Sequence, residues 1–156
     1  VRAAALALIA RREHASAQVV AALTRKGYDA TVVAATVVEL QDERMLNDMR
    51  YGESLVRMLT GRGQGPRRVR QALLDAGLDE DAVATALGTA PDWKELAADV
   101  RRRKFGAKAP KDWPGRARQM RFLQYRGFST DHIASALGGS GADDLDITEA
   151  SNDDHS

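Results

Sequence analysis

The sequence predicts an all-α fold of three tandem three-helix-bundle repeats forming an elongated, curved body, and three observations carry that prediction. One local pattern recurs every fifty residues, around Gly27, Gly77 and Gly127. Between these points apolar residues return at helical spacing, without the alternation a half-buried sheet would show. Aromatic residues make up only 5% of the chain, and Ala, Leu and Val dominate its apolar side chains. That mixture suits thin helices packed closely.

The repeated pattern describes two helices meeting at a turn. Leu23, Leu73 and Leu123 stand four residues before the glycines, and Tyr28, Leu78 and Phe128 directly after them. Asp29, Asp79 and Ser129 come next, followed by Val33, Val83 and Ile133 and then by Val37, Leu87 and Leu137. Glycine adopts the left-handed conformation that ends a helix without a Cβ clash, and the apolar residue after it packs back on the helix just finished. The Asp or Ser accepts hydrogen bonds from the free N–H groups of the next helix. Repetition of this kind builds stacked modules with an extended surface, in place of one pocket around one reaction.

In the first repeat, residues 1–41, Ala3 to Arg12 reads as a helix with Leu6 and Ile9 inward. Ser16 to Arg25 is the second helix, with Val19, Val20 and Leu23 on one side, and the third follows Asp29 with Val33, Val37 and Leu40. The second repeat, 42–90, opens at Asn47 or Asp48, either a suitable cap, with Met49, Gly52, Leu55, Val56 and Leu59 as the inner face of its first helix. Gly61-Arg62-Gly63-Gln64-Gly65 stops that helix, and Pro66 suits the first turn of the next, which carries Val69 and Leu73. Asp79 to Leu87 completes the repeat. The third, 91–139, starts at the cap Asp92, before Trp93, Leu96, Ala97 and Val100, and its first helix ends in Arg101-Arg102-Arg103-Lys104. A loop from Phe105 to Pro114 leads to helices at Gly115 to Tyr125, with Met120 and Leu123 inward, and at Ser129 to Leu137. Beyond Gly138 the periodicity is lost, and residues 140–156 are expected to be a disordered acidic tail.

A chain of 156 residues can bury roughly 70% of its unfolded surface as one domain, whereas repeats of about 50 residues are marginal alone. The absence of cysteine excludes disulfides and thiolate chemistry and fits a reducing cytoplasm. No apolar run approaches the ~20 residues of a membrane span. Ala3 to Ala10 is short and runs into Arg11-Arg12-Glu13-His14, so it reads as the first turns of a helix and not as a signal peptide.

The net charge of +1 conceals a division. All 23 basic residues lie at or before Arg126, and 18 of them are arginines. Of the 22 acidic residues six stand in the tail, so residues 1–139 set 16 against 23 and carry +7. A basic body with an acidic tail points to a polyanion or an acidic protein surface as partner, and arginine suits bidentate pairing with phosphate or carboxylate.

Catalytic signatures are missing. Gly61, Gly63 and Gly65 lack the Gly-Lys-Ser/Thr of a Walker loop and the preceding strand of a Rossmann turn, so they read as a link between helices. His14, His132 and His155 show no metal-ligand spacing with a carboxylate or thiolate. His14 is expected in solvent or at a helix cap, and Glu13 beside it points away on a helix. Trp93 and Trp113 are expected to anchor the third repeat's loop in preference to stacking on bases.

The basic residues gather on the later repeats. Arg62, Arg67, Arg68 and Arg70 cluster at one helix start, and Arg116, Arg118 and Arg121 occupy the corresponding helix of the third repeat. Arg101, Arg102, Arg103 and Lys104 lie just before the loop between. Arg67, Arg70 and Arg121 stand at spacings that suit outward faces. Such helices can run along a phosphate backbone or face acidic side chains. Base-specific readout does not follow, since no dimerising segment or recognition helix is defined.

Three runs carry a family resemblance. Arg11-Arg12-Glu13-His14 with the Leu23 to Gly27 turn resembles the opening module of the RecX family, regulators of the recombinase RecA. Asp48-Met49-Arg50-Tyr51-Gly52-Glu53-Ser54-Leu55-Val56-Arg57, leading to Arg62-Gly63-Gln64-Gly65-Pro66-Arg67-Arg68-Val69-Arg70, is similar to that family's most characteristic stretch. Val100 to Gly106 and Arg118 to Phe128 resemble the third module of proteobacterial members. The resemblance spans residues 2–137, with the connector Leu40 to Leu46 loosely matched, and departs in the tail and at the start, where the family has a further segment. It implies a monomer that needs no cofactor, catalyses nothing and engages no membrane. It implies binding in the groove of the RecA filament on single-stranded DNA, with loss of ATPase, strand-exchange and coprotease activity. Arg57 and Arg126, within the resembling runs, join the basic clusters as candidate contacts. The alternatives are a stand-alone DNA-binding protein built of trihelical units and a protein-only adaptor that ignores DNA, whose basic residues would meet acidic partners.

Overall fold

The three repeated glycines close helices as the pattern requires. The computed structural model describes residues 1–138, so the acidic segment 140–156, expected to be disordered, lies outside the described residues. Gly27, Gly77 and Gly127 have φ of +92°, +91° and +96°. The amides that follow donate to the patterned leucine carbonyls: Tyr28 to Leu23 at 3.3 Å, Leu78 to Leu73 at 3.3 Å and Phe128 to Leu123 at 3.1 Å. These bonds satisfy carbonyls that a helix end otherwise leaves open.

Among the described residues there are nine helices and no strand. The first repeat holds α1 (Arg2–Arg11), α2 (Ser16–Arg25) and α3 (Ala30–Asp42). Next come α4 (Asp48–Gly61), α5 (Pro66–Asp75) and α6 (Glu80–Leu87), and then α7 (Trp93–Phe105), α8 (Trp113–Tyr125) and α9 (Thr130–Ala136). The expected caps are in place: Asp29 accepts from Thr31 and Val32, Asp79 from Ala82, Asp92 from Lys94 and Glu95, and Ser129 from His132. Among the described residues no helix is long and apolar enough to cross a membrane.

The chain divides into two compact units. One joins Val1–Arg57 with Arg70–Thr89, and the other joins Met58–Val69 with the described residues from Ala90 onward. The first unit centres on Ala5, Val19, Leu23, Val33, Val37, Leu40 and Leu46, with Leu6 and Ile9 half-buried against them. Ala15, at the N-cap of α2, has no side-chain oxygen, and Asp48 supplies one. Its Oδ1 accepts from the Ser16 amide at 2.8 Å, while the Arg50 amide bonds Asn47 Oδ1 at 3.0 Å. Asn47 therefore caps α4, and Asp48 is spent on α2. Further along the same unit, Gly52 allows a close crossing, since a Cβ there would lie 3.0 Å from Ala86 Cβ and 3.2 Å from Leu78 Cδ2.

The second unit centres on Ala97, Val100, Met120, Leu123, Phe128, Ile133 and Leu137, with α7 packed on both α8 and α9. Phe128 is only 1% exposed. The loop before α8 is shorter than the sequence suggests. Asp112 accepts from the Gly115 amide at 2.8 Å, and Pro114 needs no donor in the first turn, so α8 starts at Trp113.

Several side chains lie elsewhere than expected. Val20, Tyr28 and Met49 are exposed. Trp113 is 49% exposed at the first position of α8, so it does not anchor the loop. His14 is buried, and its Nδ1 donates to the Arg12 carbonyl at 2.9 Å.

The glycine turns differ in what an added methyl would meet. At Gly27 nothing lies within 4 Å, so Gly27→Ala is expected to cost only the left-handed backbone penalty of about 1–2 kcal/mol. At Gly77 the new Cβ falls 2.4 Å from Ala17 Cβ, and a methyl has no rotamer by which to withdraw, adding about 1–3 kcal/mol. Urea unfolding should therefore separate the two variants, with Gly77→Ala clearly the weaker. Equal midpoints would contradict the contact between this turn and α2.

Candidate functional site

The glycine-rich link after α4 folds against the turn that ends α8. The Gly65 amide donates to the Arg126 carbonyl at 2.7 Å, and the Arg67 amide to the Gly127 carbonyl at 3.0 Å. Approach this close requires glycine on both sides. A Cβ on Gly65 would sit 2.5 Å from Gly127 C, and one on Gly127 would sit 2.9 Å from the Arg68 amide nitrogen. Gly63 takes φ +79° with Val100 immediately beside it.

This junction opens a cleft of about 240 Å³. Its floor is Val100, Phe122 and the glycines Gly61 and Gly63, and its rim is Arg62, Arg103, Lys104 and Arg126. The cations sit in fixed relation to Phe122. Arg126 Cζ lies 5.1 Å and Lys104 Nζ 5.7 Å from the ring centroid, and Phe105 meets the same ring edge-on at 5.4 Å. Arg126 Nη1 also donates to the Arg62 carbonyl at 3.0 Å. Among the described residues no acidic side chain lines the cleft and no carboxylate pairs with any of its four cations. Like charges gathered over an apolar floor raise the local affinity for an anion, and a phosphate or carboxylate arriving there relieves their repulsion.

The other candidate cations are placed variously. Arg57, Arg67, Arg118 and Arg121 are exposed. Arg57 is bonded to Ser54 Oγ at 3.2 Å. Arg68 is exposed too, and its guanidinium stacks 4.4 Å from the Tyr125 ring centroid. Arg70 is paired with Glu80 at 2.7 Å and Arg102 with Asp99 one turn back on α7. Arg116 is half-buried and reaches the Leu137 carbonyl at 3.4 Å. Arg101 is buried at 7% exposure, where its Nη1 donates to the Lys108 carbonyl and to Gln119 Oε1. It ties the loop after α7 to α8 and is turned away from solvent, unlike Arg103 and Lys104. Arg101 stands four residues after the buried Ala97 on the same helix face, and that spacing is the signal in the sequence that marks it as inward.

Phe122 and Tyr125 had no place among the sequence candidates. Their spacing to Arg126, Arg121 and Arg118 on one helix was the available sign.

A second, shallower hollow of about 410 Å³ lies between Trp93 and His132. Burial holds the His132 imidazole below its ordinary value of 6.5, with Lys94 acting in the same direction and Asp131 and Asp92 opposing. The unfolded chain therefore gains this proton before the folded one does, and stability is lost as the pH falls below that value. The urea midpoint should drop between about pH 7.5 and about pH 5.5, and drop less in His132→Gln. An equal drop in both proteins would place the acid sensitivity elsewhere.

Comparison with known proteins decides the family. The first three-helix domain of RecX matches residues 2–40, the second matches 47–87 and the third matches 92–137. The chain belongs to the RecX family. A protein named Regulatory protein RecX from Pseudomonas fluorescens is 39% identical over 145 residues, covering 92% of this chain and 94% of that one. Its namesake from Halorhodospira halophila is also 39% identical, over 92% of this chain and 90% of its own. The Vibrio campbellii RecX is 38% identical over 86% and 87%. Among solved structures, RecX from Lactobacillus salivarius superposes with a TM-score of 0.76 at 20% identity, over 94% of each chain. A second RecX crystal structure gives 0.70 at 21% identity, over 88% of this chain and 71% of that one. The three-helix repeats are thus those of RecX proteins, and the chain is a member of a family of regulatory proteins.

Proposed function

We propose that this protein is a negative regulator of RecA. It binds in the groove of the RecA filament on single-stranded DNA and lowers the filament's ATPase, strand-exchange and coprotease activities. It works in the cytoplasm as a monomer and acts by binding alone. Membership of a regulatory family across all three repeats supports this reading, and the unpaired cationic cleft carries its chemistry. Four cations over an apolar floor suit a DNA phosphate or an acidic side chain of the filament. Binding that caps or destabilises the filament would interrupt the cycling that ATP hydrolysis and strand exchange require.

The test is a titration of the protein into RecA hydrolysing ATP on single-stranded DNA. Sub-stoichiometric addition is expected to suppress hydrolysis. An unchanged rate under excess protein would contradict the proposal and leave a stand-alone DNA-binding protein as the reading to pursue.

A further inference from the structure

We infer that α8 and the glycine link form a site for single-stranded nucleic acid, with backbone phosphates in the cleft and a base stacked on Tyr125. This rests on the proposed action at a DNA-bound filament. It adds which face meets the polynucleotide and by what chemistry.

Tyr125 is 71% exposed, the most open of the large apolar side chains among the described residues. The guanidinium of Arg68 covers one face of the ring, and the remainder stands in water. Trp113 and Tyr28 are exposed as well but less so, at 49% and 39%, whereas Phe122 and Phe128 are drawn into the core of the unit. The ring is also held in place. Arg68 follows the Gly65 and Arg67 amides, whose bonds to the Arg126 and Gly127 carbonyls fix the link beside the end of α8. A clamped ring with a cation on one side loses little freedom when a base stacks upon it.

The spacing on α8 joins this ring to the cations. Arg118, Arg121 and Tyr125 are exposed and succeed one another at three and four residues, which places them on one stripe. Phe122 and Arg126 form the adjacent stripe, turned to the cleft. Phosphate-binding groups and a stacking surface thus run side by side along one helix. In a duplex the base faces are covered by their neighbours, so a ring offered in this way selects the single strand. An acidic protein surface would engage the cations, but stacking of a base on the ring is what separates an intact strand from an abasic one.

The test is fluorescence anisotropy of the full chain with a labelled oligothymidylate, its duplex, and an abasic strand of equal length. Wild type should favour the single strand. Tyr125→Ala is expected to lose about tenfold in affinity for it and nothing for the abasic strand, while Tyr125→Phe retains binding. Replacing Arg103 and Lys104 by Gln should weaken both strands and flatten the salt dependence by about 0.7 for each phosphate no longer neutralised. Equal single-strand binding by Tyr125→Ala and wild type would overturn the site. Should the Gln variant bind DNA normally yet fail to suppress RecA's ATPase, the cleft faces protein; the inference then falls while the proposed regulation stands. Should wild type leave RecA's ATPase untouched while the DNA results come out as expected, the regulation falls and the site stands.

Discussion

Gly65→Ala is expected to destabilise the protein by about 3 kcal/mol, roughly 6–12 °C in Tm for a chain of this size. The magnitude follows from what surrounds the position. An added Cβ would lie 2.5 Å from Gly127 C, 2.6 Å from the Phe128 nitrogen and 2.7 Å from the Gly127 oxygen. All three are backbone atoms, so no rotamer change relieves the clash. The link must withdraw, and the bonds from the Gly65 and Arg67 amides break with it. Gly61→Ala is the matched control. Nothing lies within 4 Å of its Cβ, and the residue ends α4, so alanine there should be neutral or add up to about 1 kcal/mol. Thermal melts of the two variants check this, and a wild-type Tm for Gly65→Ala would refute the close packing of link and turn. Because the link carries Arg62 to the cleft, the same variant should bind its partner less well below its melting point.

Reversing Arg103 and Lys104 to Glu is expected to weaken engagement of the filament by about a hundredfold, at about tenfold for each charged hydrogen bond removed. Both side chains are exposed, so the fold does not depend on their burial. Both stand in the last turn of α7, however, where a cation complements the helix dipole, and reversal there costs about 0.3–1 kcal/mol per residue. The cation of Lys104 over the Phe122 ring goes as well. Far-UV circular dichroism should be unchanged and Tm only slightly lower. Arg102→Glu serves for comparison: it breaks the pair with Asp99, outside the cleft, and should affect inhibition far less. A loss of inhibition that is the same in both proteins for each charge reversed would mean that net charge is responsible and the cleft is not.

The turns were legible in the sequence because few residues can make them. Gly at φ above +90°, a leucine to receive the closing bond and an oxygen-bearing cap leave little freedom, and all three glycine turns follow that rule. Faces were less legible. Periodicity shows that Val19, Val20 and Leu23 cluster, yet only contact with α1 and α3 decides that Val20 stays outside. Asp48 looks like the cap of its own helix, but the neighbouring α2 begins at an alanine and takes the carboxylate instead. His14 stands in a charged run and is nonetheless buried, because a backbone carbonyl two residues away satisfies its ring. The candidate site was legible as charge and not as geometry. Composition marks the run from Arg101 to Lys104 as one cluster, whereas the helix sends Arg101 into the core, Arg102 to Asp99 and only Arg103 and Lys104 to the cleft. That the Gly61 to Gly65 link should close on a turn more than sixty residues away is a tertiary event, and no local pattern announces it.

The proposed restraint of RecA runs through the cationic cleft. Its most direct test is the rate of ATP hydrolysis by RecA on single-stranded DNA, titrated with wild type and with the Arg103→Glu, Lys104→Glu double variant. Suppression by sub-stoichiometric wild type, largely abolished in a double variant of unchanged helicity, is the result expected. Hydrolysis unaffected by excess wild type, or suppressed equally by both proteins, would contradict it.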